Sequence, residues 1–265
     1  MERNVRLRQR IGDHEPLLGA ILRMPSEALV ELAGLAGLDF VILDCEHGPT
    51  DGLQHHLTAA AATGLAALVR VSGESGAEIQ RALDLGAAGI VVPHVDTPDR
   101  ARSITRAAHY PPAGTRGFAT YTRAGRYGLT TPAGHLHDAR QNTIVVAMIE
   151  DAAGCQAATD IAATDGIDAL FAGPADLAVA LGHPGQTSHP EVTGAIARIH
   201  QAAARVSCAI MTIVSDETAA RSALDRGTTL VVYNIQAAVS VLFARLAGVR
   251  DPGTEPPPLS ASAHQ

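Results

Sequence analysis

The strongest constraint on this chain is a recurrence: short aliphatic runs alternate with helical stretches at a period of roughly thirty residues. The runs are Leu17 to Met24, Phe40 to Leu43, Ala66 to Ser72, Gly89 to Val95, Ile144 to Glu150, Asp168 to Pro174, Ser207 to Ile213 and Thr228 to Tyr233. Unbroken apolar runs of this length read as strands buried on both faces of a parallel sheet. Eight of them favour closure, so the expected fold is α/β, a (β/α)8 TIM barrel. The 265 residues suit one such domain, which typically takes about 250. Residues 1–250 are assigned to the barrel, and 251–265, proline-rich and without periodicity, to a disordered tail. The rhythm breaks after the helix that ends near His109. Pro111 to Asn142 reads as a long loop, of the kind that serves as a lid or subunit contact.

Several functional classes are excluded by what the chain lacks. A formal charge of −7 without a basic stripe argues against nucleic acid. The apolar runs are too short and interrupted to span a bilayer, and the N-terminal segment lacks the apolar core of a secretory signal. The expected location is the cytoplasm. Cys45, Cys155 and Cys208 are widely spaced with no C-x-x-C pair, which suits a reducing compartment and gives no zinc or disulfide framework.

In a closed barrel, the residues at the carboxyl ends of the strands share one rim, where ligands bind. The most pointed is Phe40-Val-Ile-Leu-Asp-Cys-Glu-His-Gly-Pro49, an apolar run ending in Asp44, Glu46 and His47. The two acids read either as site residues or as caps of the following helix. His47 has the side chain best suited to exchange a proton near neutral pH. Arg70 reads as an anion-binding cation or as the ion-pair partner of Asp44. Glu150 and Asp176, from adjacent units, can together hold a hard divalent cation, although Glu150 alone also reads as a helix N-terminal acid. Gly173-Pro174-Ala175-Asp176 opens a helical turn whose amides can receive a substrate carboxylate. His94, Thr212 and Asn234 complete the rim, and His135 and His137 stand apart as a possible surface pair.

Taken with Leu68-Val-Arg-Val71, Arg81-Ala-Leu-Asp-Leu-Gly86, Val91-Val-Pro-His-Val95, Tyr110-Pro-Pro-Ala-Gly-Thr-Arg-Gly117, Met148-Ile-Glu150 and Asp165-Gly-Ile-Asp-Ala-Leu-Phe-Ala-Gly-Pro-Ala-Asp-Leu177, the stretch from Phe40 to Pro49 resembles the HpcH/HpaI aldolase/citrate lyase family. The likeness runs from about Leu17 to Ala247. It implies a metal-dependent pyruvate aldolase, cleaving a 4-hydroxy-2-keto acid to pyruvate and an aldehyde through an enolate, and a homo-oligomer, trimer or hexamer. By matching motifs, Glu150 and Asp176 hold the cation (Mg²⁺ or Mn²⁺, with Co²⁺ or Zn²⁺ as further candidates). Arg70 stabilises the enolate, and His47 is the acid/base, supported by Asp84 and Asp44. Arg116, Arg123 and Arg126, in the long loop, read equally as residues that recognise a second substrate carboxylate or as subunit-interface residues. The sequence has no Lys, so a lysine-imine aldolase is excluded. Tyr233-Asn234-Ile235-Gln236 departs from the family's pattern and keeps a carbon–carbon condensing enzyme of the same scaffold, taking an acyl-CoA and oxaloacetate, as the alternative. A non-catalytic ligand-binding barrel stands third.

Overall fold

Side chains alternate between the two faces of a strand, and in this chain that alternation sorts the aliphatic residues into two concentric cores. A computed structural model of the chain describes residues 2–248; the tail expected from Asp251 lies outside the described residues. In order, the elements are α1 (Glu2–Gly12), β1 (Leu17–Leu22), α2 (Glu27–Leu35), β2 (Phe40–Asp44), α3 (Leu53–Ala62), β3 (Ala66–Arg70), α4 (Gly76–Asp84), β4 (Gly89–Val92), α5 (Pro98–Ala108), α6 (Pro132–Asn142), β5 (Ile144–Ile149), α7 (Ala152–Ala162), β6 (Ala169–Ala172), α8 (Pro174–Ala180), α9 (Pro190–Arg205), β7 (Ala209–Val214), α10 (Glu217–Asp225), β8 (Leu230–Asn234) and α11 (Ile235–Ala247). The strands pair in sequence order and in parallel, and β8 closes onto β1. The expected (β/α)8 barrel is therefore observed.

One residue series fills the barrel interior, including Leu17, Ile21, Phe40, Ile42, Leu68, Val91, Met148, Phe171, Met211 and Val232. The alternate series, including Val41, Leu43, Val69, Ile90, Ala147 and Leu170, packs outward against Val30, Ile79, Ile104, Ile161 and Ile199 of the helices. Gly19 shows how tightly the interior is matched, because a Cβ there would lie 2.5 Å from the Phe40 ring. The missing side chain lets Phe40 be fully buried, a gain of roughly 1.5–3 kcal/mol. Continued to the carboxyl ends, the inward series reaches Arg23, Asp44, Arg70, Glu150, Gly173 and Asn234. The interior is thus apolar until its last layer, and that layer is the site.

The amino-terminal end of the barrel is closed by α1, a helix that the basic N-terminal stretch did not announce. Leu7 and Ile11 are buried against the interior core, and Arg8 Nε donates to Asp168 Oδ1 at 2.8 Å. The long loop expected over Pro111 to Asn142 needs correction too: Arg126–Gly128 is a 3-10 turn and the last third is α6. Its start carries a normal signal, with Thr131 Oγ1 accepting from the Gly134 N–H at 3.1 Å and Pro132 in the first turn. What hid the helix is its weak apolar stripe. Its His135 is buried and hydrogen-bonded to the Tyr110 hydroxyl at 2.9 Å, so His135 and His137 are not a surface pair. Among the described residues, no helix is long and apolar enough to cross a membrane.

Candidate active site

Parallel pairing sets Asp44 beside Arg70, and the two make a bidentate ion pair, Nε to Oδ1 at 2.8 Å and Nη2 to Oδ2 at 2.5 Å. Each is only 3% exposed. Arg23 Nε also donates to Asp44 Oδ2, at 2.8 Å. The main-chain N–H groups of Glu46 and His47 reach Asp44 Oδ1 at 3.1 and 3.3 Å. Burial pushes the Asp44 carboxyl up, but the Arg70 hydrogen bonds and charge, the His47 amide and Arg23 outweigh it and hold the carboxyl below its usual range. With its lone pairs filled, Asp44 has no capacity left for the proton of a reacting group. Its expected support of His47 is therefore corrected in kind: it fixes the turn beneath the imidazole through the main chain and does not touch the ring.

Above this brace lies a cluster of acids and imidazoles. Arg70 Nη1, the one guanidinium nitrogen not given to Asp44, sits 3.0 Å from Glu46 Oε2. The alignment is poor, and that buried oxygen has no hydrogen-bond partner. His47, with its side chain half exposed, places Nε2 3.9 Å from the same oxygen. His94 bridges to the second acid, with Nε2 3.5 Å from Glu46 Oε1 and Nδ1 3.2 Å from Glu150 Oε2. Its backbone is left-handed at φ 57°, which turns its N–H onto Glu150 Oε2 at 3.0 Å. Burial raises Glu46 above the ordinary carboxylate range, against the pull of Arg70 and the two imidazoles.

Glu150 is the most perturbed acid of the site. Burial is the main cause; the His94 amide opposes it, the charges of Asp176 and Glu46 add to it, and the carboxyl is pushed up to about 7. Asp176 lies in the first turn of α8, directly after Gly173 and Pro174. Gly173 is required for space, because a Cβ there would lie 2.8 Å from Glu150 Cγ and 2.9 Å from Oε1. Pro174 has no N–H and the Leu177 N–H already bonds to the Gly173 carbonyl, so the amides of Ala175 and Asp176 are the ones that open toward the rim. A buried acid pushed up to about 7, with the charge of an exposed acid from the next unit acting on it, suits a hard divalent cation with open positions for substrate oxygens.

Three expected participants, Asp84, Arg123 and Thr212, are elsewhere in this chain, and a fourth, Asn234, lies in the inward layer but takes another role. Asp84 ends α4, at the amino-terminal face of the barrel, and binds Arg116 at 2.6 Å. It cannot support His47 of its own chain, because barrel helices run back from the rim. Arg123 lies against Gly86 and donates to Thr58 at 3.0 Å, on the same remote side. Thr212 faces outward, 3.4 Å from His200 Nε2, and Asn234 caps α11 by accepting from the Ala237 N–H at 3.2 Å. Conversely, Arg23 and the pairing role of Glu46 were missed. Counting every second residue from Leu17 would have found Arg23.

A closed (β/α)8 barrel with acids and an arginine brace gathered at its carboxyl rim has the layout of the barrel enzymes, whose active sites lie at that rim. The chain belongs to the HpcH/HpaI aldolase/citrate lyase family, whose pattern it matches over residues 21–239. It is 37% identical to a hydroxypyruvate/pyruvate aldolase of Paraburkholderia phytofirmans over 229 residues, covering 83% of this chain and 87% of that one. A family protein from Burkholderia cenocepacia has a similar structure, with TM-score 0.86 and 35% identity over 92% of this chain and 99% of that one. The citrate synthase SbnG follows at TM-score 0.82 and 28% identity, over 94% and 99%.

Proposed function

We propose that the protein is a divalent-cation-dependent aldolase that reversibly cleaves a 4-hydroxy-2-keto acid to pyruvate, or a close 2-keto acid, and an aldehyde. The observation that carries this reading is Glu150, pushed up to about 7 by burial first and then by the charges of Asp176 and Glu46. Glu150 and Asp176 would hold the cation, Mg²⁺ or Mn²⁺ by ligand type. When bound, it supplies Lewis-acid polarisation of the keto group. Arg70 Nη1 faces the same space and can donate to the oxygen that becomes negative in the enolate, while the amides of Ala175 and Asp176 receive the substrate carboxylate. His47, through a bridging water, takes the proton of the 4-hydroxyl. The C3–C4 bond then breaks, its electron pair stays on the keto-acid fragment, and C4 becomes the aldehyde carbon. Return of a proton to C3 yields pyruvate.

The test is exchange of the pyruvate methyl protons with deuterium, followed by NMR. Exchange is expected with Mn²⁺ or Mg²⁺, is lost on chelation, and returns when the cation is restored; no exchange with either cation would overturn the reading. The likeness to a citrate synthase favours one second reading, condensation of an acyl-CoA with oxaloacetate, which would show as release of free CoA thiol.

Asp84 can act on His47 only from a neighbouring subunit. Exposed Leu242, Phe243 and Leu246 on α11 and Leu32 and Leu35 on α2 support an assembly. The expected mass in solution by light scattering is that of a trimer or hexamer, and a monomer at working concentration would remove Asp84 from the site altogether.

A further inference from the structure

A second group of metal-ligating side chains lies outside the acid cluster, between α8 and α9. His183, His189 and Glu191 offer one ligand atom each, all within 4.8 Å of one another. The two imidazoles are stacked, with centroids 3.5 Å apart and planes 21° from parallel. His183 Nε2 lies 2.7 Å from Glu191 Oε2. We propose that these three residues bind a transition cation of the zinc class, tying the segment after α8 to the first turn of α9. This site is independent of the aldolase reading.

The backbone holds the two histidines in place before any cation arrives. His183 N–H bonds to the Ala178 carbonyl at 2.7 Å, Gln186 N–H to the His183 carbonyl at 3.0 Å, and His189 N–H to the Gln186 carbonyl at 2.9 Å. Gly182 and Gly185 take the left-handed conformations that fold the segment back on itself, at φ 82° and 73°. Pro190 then starts α9 immediately after His189. The ligands therefore come from one short, hydrogen-bonded excursion, and little chain entropy remains to be lost on binding.

The donor set selects the cation. Two imidazoles and one carboxylate, with a fourth position left to water, suit Zn²⁺, whereas Mg²⁺ prefers oxygen alone. Tetrahedral zinc with bonds of about 2.0–2.2 Å sets its ligand atoms roughly 3.3 Å apart. Reaching that arrangement needs the two stacked rings to splay, so that both lone pairs converge on one point, together with an opening of the His183–Glu191 pair and a rotation of Glu191, whose side chain is mostly exposed. Besides the His183–Glu191 bond, a second hydrogen bond is given up. His189 Nδ1 accepts the Glu191 N–H at 3.3 Å, and a neutral imidazole has a single acceptor nitrogen, so coordination through either ring nitrogen releases this long bond. The cation takes the place of whatever proton His183 and Glu191 share.

The experiment uses the full chain stripped of metal, titrated with Zn²⁺ in equilibrium dialysis and with Co²⁺ as a visible-absorption probe. The comparison is His183→Ala with His189→Asn, the Asn keeping a side chain able to cap α9. The double variant is expected to bind one zinc equivalent fewer. Its affinity at this site should fall by at least about 100-fold, since loss of a group merely supporting a ligand already costs 10–100-fold. It should also lose the intense bands of four-coordinate Co²⁺, with its circular dichroism unchanged. Glu191→Ala, on the exposed edge, is expected to weaken binding and alter those bands without affecting the fold. Unchanged stoichiometry and spectrum in these variants, or bands that vanish only with Glu150→Gln, would overturn the proposal.

Discussion

Glu150→Gln is expected to lower turnover by roughly 10³-fold, the upper range for losing one electrostatic contact to developing charge, and to make the cation-free protein more stable at pH 8. The second effect separates a cation site from an ordinary structural acid. In the folded chain the Glu150 carboxyl is raised from an ordinary 4.5 to about 7. Between those values the folded state holds the proton more tightly than the unfolded one, so stability falls as pH rises. The penalty is complete above the folded value, at roughly 3 kcal/mol. Glu46 and Asp176 face the group with negative charge, while the His94 amide and ring oppose it and the Arg70 guanidinium acts on it in the same sense as His94. Gln carries no charge and removes the penalty. The variant should therefore unfold at a higher temperature than the wild type at pH 8 in chelator, and the difference should vanish near pH 4.5 and reverse once Mn²⁺ is added. Calorimetry across pH, with and without cation, reads all three. A variant less stable than the wild type at pH 8 in chelator would mean that Glu150 is already neutralised within the protein, and the cation reading would fail.

The barrel was legible because strand and helix periods are local properties. Each aliphatic run announces a strand buried on both faces, and eight in order leave closure as the simple solution. Elements whose stability comes from distant partners were not legible. Leu7 and Ile11 of the helix α1 are buried, and what they bury against is the barrel interior, built from residues far along the chain. Likewise α6 is announced by Thr131-Pro132 but shows too few apolar residues to stand out from a loop.

The site divides the same way. His47, Arg70, Glu150 and Asp176 could be placed at one rim because each lies at the carboxyl end of a strand or within four residues of it. Arg70 was left between anion binder and ion-pair partner; the geometry pairs it with Asp44 through Nε and Nη2, and leaves Nη1, toward Glu46, for the proposed anion contact. Asp84 shows the limit of motif reasoning. A motif carries a residue's identity but not its face of the barrel, and the end of α4 is remote from the rim of the same chain. Arg23 shows a signal that was present and unused, since it continues the inward alternation of Leu17, Gly19 and Ile21 by one step.

That double employment of Arg70 leads to the second large effect. Arg70→Met should lower turnover by about 10²–10³-fold, as expected for a donor to the developing oxyanion, and should destabilise the fold by about 3–5 kcal/mol, because a buried Asp44 loses its bidentate partner. Arg23 remains at 2.8 Å but is itself desolvated, so it compensates only in part. The two consequences can be separated. Combining Arg70→Met with Asp44→Asn removes the uncompensated buried charge and should restore a substantial share of the stability, while activity stays as low as in the single variant, since nothing replaces Nη1. Arg70→Lys should keep more stability than activity, because an ammonium cannot reproduce the planar fork that serves Asp44 and the substrate side together. Denaturant unfolding and pyruvate exchange on the same samples give the comparison. If activity returned with stability in the double variant, Arg70 would be a structural brace alone and the enolate contact would have to come from elsewhere in the site.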